Sequence, residues 1–269
     1  MGLFSRDQNK AGPGVSKDEP RKKGLRRFWE IVSRDHVDLV KVNFIFFVCA
    51  LPSMALFFLG LFDIFEIALM LSVFAAYPIG GAASAVFFCI TRMLRDDPGF
   101  LWQDFKRKFR ENLRQAGVPG VVAVTFIYTQ VFLFWLPVVN DWEVAGTPWV
   151  IAGLILFVLF SMAAPYVFLH FAYIRLNTFK IVKNSILLAL GNLPRSLMGA
   201  VSGLSLWVAM FLFFPNTTPL LPLVPVFFFS LSWLMSLMWV WPVFNERFKV
   251  EETLTNERIN SAGDSDVPD

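Results

Sequence analysis

The chain has 269 residues, of which 56% are hydrophobic and only 17% are charged, and its mean hydropathy is +0.56. Soluble domains carry about 25% charged residues, so this composition excludes an ordinary water-soluble globular protein and indicates an integral membrane protein. The formal net charge is +3, and the placement of the charges along the chain carries more information than their sum.

The polar start of the chain, residues 1–24, is interrupted by Pro and Gly and predicts a flexible cytoplasmic arm. Apolar residues from Leu25 to Val40 then recur at helical spacing, with Lys22, Lys23, Arg26 and Arg27 at one end. This pattern predicts a basic amphipathic helix at the inner leaflet of a membrane.

Six apolar runs follow, each long enough to cross roughly 30 Å of hydrocarbon at about 1.5 Å per residue. They cover 42–61, 67–90, 118–139, 149–174, 197–214 and 223–244. The runs do not alternate in the manner of barrel strands. The sequence therefore predicts an all-α, integral membrane helical bundle of about six transmembrane helices with cytoplasmic amphipathic helices. This single membrane domain covers 25–244, and a polar cytoplasmic tail covers 245–269.

The orientation follows from the basic residues. Apart from Lys41, they lie before the first span, between 91 and 115, between 175 and 195, and after Phe244. The opposite loops, 62–66, 140–148 and 215–222, contain no Lys or Arg. The positive-inside rule therefore predicts a multi-pass membrane protein with both termini in the cytoplasm.

Two spans contain small residues that allow helices to approach closely. The second span carries Gly80, Gly81 and Ser84, and the fifth carries Gly199 and Gly203 as a GxxxG motif. Packing within the chain is the favoured interpretation, and a homodimer face is the alternative.

The most charged stretch in the middle of the chain is "DDPGFLWQDFKRKFRENLRQAG", residues 96–117. It predicts a helix from Leu101 to Gln115 that begins after two carboxylates. Its apolar positions fall within an arc of about 120°, and the basic residues Arg107 and Arg110 lie beyond that arc. The apolar positions are Leu101, Trp102, Phe105, Phe109 and Leu113.

Three interpretations of this helix compete. Binding of nucleic acid is disfavoured, because the basic residues are mixed with acidic ones and no recognisable module is present. An interfacial helix would lay the apolar stripe on lipid or on the protein's own spans. A docking helix would insert Trp102, Phe105, Phe109 and Leu113 into a groove of a cytoplasmic partner, with Arg107 and Arg110 beside them.

Ionisable groups within membrane spans usually mark pathways for solutes or protons, and this chain has few. Gln130 and His170 are the candidates for lining a cavity among kinked spans, which gives the alternative function of a small-solute transporter. Cys49 and Cys89 form no CxxC pair, and no acidic pair, Ser/His constellation or phosphate loop is present. We therefore predict a protein that is not an enzyme and holds no cofactor and no metal.

Three segments resemble the YesL-like family of bacterial multi-span membrane proteins of unknown function. They are "GPGVSKDEPRKKGLRRFWEI", "PIGGAASAVFF" leading to "RMLRDDPGFLWQDFKRKFRENLRQA", and "KNSILLALGNLPRSL". The resemblance implies a location in the bacterial plasma membrane and an accessory role in carbohydrate uptake by ABC-type transporters. It implies no catalytic or binding residue. We hypothesise that the chain is a non-enzymatic accessory protein embedded in the lipid bilayer. It would contact carbohydrate ABC transporter components through the helix from Leu101 to Gln115.

Overall fold

Helices form almost all of the computed structural model, which describes residues 24–62, 67–97, 99–139, 148–213 and 228–264. No strand occurs in these ranges, which confirms the all-α class. The helices are α1 (Leu25–Leu61), α2 (Ala68–Ala75), α3 (Tyr77–Leu94), α4 (Leu101–Val139), α5 (Pro148–Tyr173), α6 (Thr178–Gly191), α7 (Leu193–Phe213), α8 (Phe229–Phe248) and α9 (Val250–Asp264).

Among the described residues, four stretches of helix are long and apolar enough to cross a membrane. They are Leu25–Leu61, Ala68–Leu94, Leu101–Leu133 and Pro148–Tyr173, and they contain most of the first four predicted spans. The last two predicted spans, 197–214 and 223–244, lie partly within residues 214–227, outside the described ranges. The membrane class is therefore supported, and the number of six spans stays a prediction.

The first helix differs from the expected arrangement of a surface helix followed by a separate span. α1 is assigned as one helix of 37 residues, with a break at Asp35, where φ is −110° and ψ is 18°. Phe28 and Ile31, before this break, are buried in the main hydrophobic core. One face of the start of α1 therefore packs against the bundle, while Leu25 and Trp29 on it remain exposed.

The helix at the centre of the bundle is α3. Every residue from Ile79 to Leu94 is buried, although this stretch contains a serine, a threonine and an arginine. Its hydroxyl groups bond within the helix: Ser84 donates to the carbonyl of Gly81 at 2.8 Å, and Thr91 donates to that of Phe87 at 2.8 Å. α3 can therefore lie among apolar neighbours without leaving these hydroxyls unsatisfied.

The start of α4 runs antiparallel to α3 at very short range. A Cβ atom on Gly80 would overlap the backbone carbonyl of Ala116, and one on Gly120 would overlap the backbone of Gly80. A Cβ on Gly81 would lie 3.1 Å from the Cα of Leu113. Glycine is required at these contacts because the two backbones touch.

The GxxxG motif of α7 is also used within the chain. A Cβ on Gly199 would lie 3.0 Å from the side chain of Val240, and one on Gly203 would lie 3.1 Å from the Cβ of Ser236. Ser232 donates a hydrogen bond to the carbonyl of Gly203 across this interface. Both sets of small residues thus bring helices of the same chain together.

The predicted polar tail, 245–269, contains α9. Residue Lys249 ends α8 in the left-handed region, with φ 49°, and turns the chain into α9. The indole of Trp241 donates to the carboxylate of Glu251 at 3.1 Å. The beginning of the tail is therefore attached to the bundle.

We expect Gly80→Ala to destabilise the protein by about 1–3 kcal/mol, the usual cost of forcing extra volume into a packed interface. The methyl group would push α3 and α4 apart at a contact between backbones, which no side-chain rotation can relieve. The measurement is the thermal unfolding midpoint of the purified protein in mild detergent.

The matched control is Gly191→Ala, because a Cβ at Gly191 would have no neighbour within 4 Å. Alanine also favours a helix over glycine by about 1 kcal/mol, so this control should keep or slightly raise the midpoint. Equal midpoints for both variants would contradict the inferred close contact.

Candidate functional site: a charged junction and an exposed tryptophan

The carboxylate of Asp96, in the turn between α3 and α4, is bound by two arginines of α1. Arg27 donates to one oxygen at 2.6 Å, and Arg34 donates to the other. Each guanidinium also donates to the end of α3: Arg27 to the carbonyl of Leu94 and Arg34 to that of Met93, both at 2.9 Å. One carboxylate and two carbonyls thereby attach the start of α1 to the last turn of α3.

The backbone of Asp96 has φ 61°, in the left-handed region that Asp and Asn adopt more readily than most residues. Partial burial alone would raise the pKa of its carboxyl group. The hydrogen bonds from Arg34 and Arg27 outweigh that effect and hold the pKa below its ordinary value of 3.8. Asp96 is therefore ionised under physiological conditions and neutralises charge on both arginines.

Two further arginines, Arg92 and Arg95, lie at the buried end of α3. Arg92 donates to the carboxylate of Asp104 in α4. The guanidinium of Arg107 lies 2.8 Å from the same carboxylate. Arg95 lies 2.9 Å from the carboxylate of Asp97. These cations at a helix C-terminus also interact favourably with the helix dipole.

Aromatic rings cover the other side of Arg95. The centre of its guanidinium lies 5.4 Å from the ring centroid of Tyr173 in α5 and 5.5 Å from that of Trp241 in α8. Such cation–π contacts stabilise a desolvated cation. The charged junction, defined here as Arg27, Arg34, Arg92, Arg95, Asp96, Asp97 and Asp104, therefore connects five helices.

The apolar stripe of the predicted docking helix divides into a buried part and an exposed part. Phe105 is only 5% exposed and lies in the core, and Phe109 and Leu113 are partly buried. Trp102, in contrast, is 59% exposed. Its ring is nearly parallel to that of Phe105, with centroids 6.5 Å apart, and Phe109 continues the stack at 5.9 Å.

The basic face of the same helix is open to solvent. Arg107 and Arg110 are both exposed, and Lys106 is exposed beside them. Phe100, immediately before α4, is 76% exposed. A partner that approached the start of α4 would thus meet Trp102 and Phe100 next to basic side chains, while Phe105 lies beneath them.

The two candidates for a solute cavity have different surroundings. Gln130 donates to the carbonyl of Gly153 at 3.2 Å. Neither its amide oxygen nor Nε2 of His170 has a hydrogen-bond partner within the described ranges. His170 Nδ1 lies 2.8 Å from the carbonyl of Tyr166 and 2.9 Å from the hydroxyl of Ser185.

The described contacts of Gln130 and His170 have no residue in common. The ring of His170 lies edge-on to Phe244 and Phe248. Two pockets lie between α1 and residues 92–102, and neither Gln130 nor His170 lines them.

The charged junction was not anticipated from the sequence, where its arginines counted as evidence for orientation and, in the case of Arg27, for a basic amphipathic helix. A usable signal exists in the spacing. Arg27, Ile31 and Arg34 share one face of a helix, and Arg92 and Arg95 immediately precede Asp96 and Asp97. Basic residues on an apolar face next to paired carboxylates predict buried ion pairs, since buried charges require partners.

Comparison with protein-family models, curated proteins and solved structures finds no match to this chain. The class that the described residues support is an all-α protein with four helices long and apolar enough to cross a membrane. The resemblance to the YesL-like family stays a prediction.

We expect Asp96→Asn to lower the free energy of unfolding by about 1.5–3 kcal/mol, the usual worth of hydrogen bonds to charged groups. The neutral amide would leave the buried side chain of Arg27 with the carboxylate of Glu30, 3.0 Å away, as its remaining acidic partner among the described residues. Thermal unfolding in detergent measures the effect.

The control is Glu252→Gln, which removes an ion pair to Lys249 in which both side chains are well exposed. Exposed pairs contribute about 0–1 kcal/mol, so this variant should unfold close to wild type. An equal loss of stability in Asp96→Asn and Glu252→Gln would show that the ion pairs of Asp96 contribute no more than an exposed pair.

The junction should also depend on pH with a defined sign. Because the folded-state pKa of Asp96 lies below 3.8, its contribution to stability is fully present above that value and is lost as pH falls through the folded pKa. The difference in unfolding midpoint between wild type and Asp96→Asn should therefore narrow on acidification below pH 3.8. A difference that stays constant down to pH 2 would contradict the lowered pKa.

Proposed function

We propose that this chain is a non-enzymatic accessory protein of the plasma membrane that binds another protein through the exposed start of α4. The observation that carries the proposal is the exposure of Trp102 above a stripe whose next members are packed against the bundle. Exposed tryptophans next to arginines are typical of the residues that dominate protein interfaces.

The support for a rigid docking surface comes from the charged junction. Asp104, one turn after Leu101, binds Arg92 of α3, and the preceding turn is attached to α1 through Asp96. A preformed surface loses less conformational entropy on binding than a flexible one. The neighbouring Lys106 and Arg110 favour a partner surface that carries carboxylates.

The proposed partner is a component of a carbohydrate ABC-type transporter. This identity depends on the resemblance to the YesL-like family and on the predicted location in the plasma membrane. Six spans with both termini in the cytoplasm would place the start of α4 on the cytoplasmic side, where the nucleotide-hydrolysing parts of such transporters also lie. The lengths of α7 and α8, 21 and 20 residues, are compatible with two further spans.

The test is co-purification in mild detergent from wild-type cells and from cells that produce Trp102→Ala. Loss of an exposed aromatic anchor should weaken partner binding by about 2 kcal/mol or more and remove the partner from the purified fraction, without lowering the unfolding midpoint of the isolated protein. Phe105 is unsuitable for this test, because its substitution would create a cavity in the core.

Trp149→Ala is the matched control, since Trp149 is 74% exposed but begins α5, away from the start of α4. The partner should be retained by this variant. Recovery of the same partners with wild type and Trp102→Ala would overturn the docking proposal.

A further inference from the structure

A pocket of about 550 Å³ opens between α1 and the start of α4. This volume falls within the range of about 300–1,000 Å³ that is usual for sites of small ligands. Its walls include Phe44 and Ile45 of α1, together with Phe100 and Trp102. Most of the lining is therefore apolar, with two charged residues of α1 beside it.

Those two residues are Asp38 and Lys41, which have opposite charges and lie one turn apart on α1. The ammonium of Lys41 is 3.2 Å from the carboxylate of Asp38, and the side chains are 58% and 35% exposed. An exposed pair of this kind contributes little to stability. Both groups remain accessible to a ligand that carries one positive and one negative charge.

The pocket lies where α1 changes from polar to apolar. Lys41 is the last charged residue of α1, and the uncharged stretch from Val42 to Leu61 follows it. From Phe44, a line of exposed apolar side chains continues along the helix through Val48 and Leu51. The spacing of these three residues places them on one face, which is a suitable track for an acyl chain.

We propose that this pocket binds the headgroup of phosphatidylethanolamine, with the lipid phosphate at Lys41 and the ammonium at Asp38. The acyl chains would follow Phe44, Val48 and Leu51. The inference depends on the location in a membrane and is independent of any protein partner.

The charges of the pocket select this lipid over its common alternatives. A purely anionic headgroup gains from Lys41 but is repelled by Asp38, whereas a zwitterion is attracted by both. A primary ammonium can donate charge-assisted hydrogen bonds to the carboxylate. The quaternary ammonium of phosphatidylcholine has no N–H group, so it binds Asp38 less well.

The experiment is native mass spectrometry of the full protein after incubation with equimolar phosphatidylethanolamine, phosphatidylglycerol and phosphatidylcholine of identical acyl chains. Wild type should retain phosphatidylethanolamine preferentially. Asp38→Asn should lower that preference about fivefold, the effect expected of one partly exposed ion pair. Lys41→Gln should lower retention of all three lipids, because each has a phosphate.

The control is Lys249→Gln, which removes an exposed lysine from a comparable pair outside the pocket and should retain phosphatidylethanolamine as wild type does. Equal helicity and equal unfolding midpoints would show that the variants are folded. Equal retention of the three lipids by wild type would overturn the proposal, as would a preference for phosphatidylglycerol or phosphatidylcholine. A preference for phosphatidylethanolamine that survives Asp38→Asn would also overturn it.

Discussion

The contact between the backbones of α3 and α4 at Gly80 and Gly120 is the constraint on which the rest of the bundle depends. Two helices can touch at this distance only where side chains are missing. The contact fixes α4 along the buried helix α3 and leaves the other helices to surround that pair. Because α3 is buried along nearly its whole length, the arginines at its C-terminal end need nearby carboxylates to neutralise their charge.

This need for neutral charge explains why the arginines of the junction lie next to carboxylates. A buried guanidinium is unfavourable unless its charge is paired and its N–H groups are bonded. Here the carboxylates of Asp96, Asp97 and Asp104 supply the pairing, and carbonyls at the end of α3 accept further hydrogen bonds from Arg27 and Arg34. Nε of Arg92 has no hydrogen-bond partner among the described residues. The acidic residues that precede α4 in the sequence therefore neutralise arginines of α1 and α3, in addition to their place before a helix N-terminus.

The all-α class and the first four membrane helices could be predicted from the sequence, because apolar runs of sufficient length have few other structures open to them. The same reasoning could not show that the charged start of α1 packs in the core and is bound to the end of α3. A stripe such as Trp102, Phe105 and Phe109 has the same spacing whether it contacts lipid, a partner or the bundle. The distinction depends on tertiary contacts, here the burial of Phe105, which periodicity alone does not contain.

The break at Asp35 gives α1 two segments that are held differently. The segment before it is bound to the end of α3 and the following turn by Arg27 and Arg34, and the segment after it carries the apolar residues from Val42 onward. The N-terminal end of α1 is thereby joined to the turn that leads into Phe100 and Trp102 through three acceptors, the carboxylate of Asp96 and the carbonyls of Met93 and Leu94.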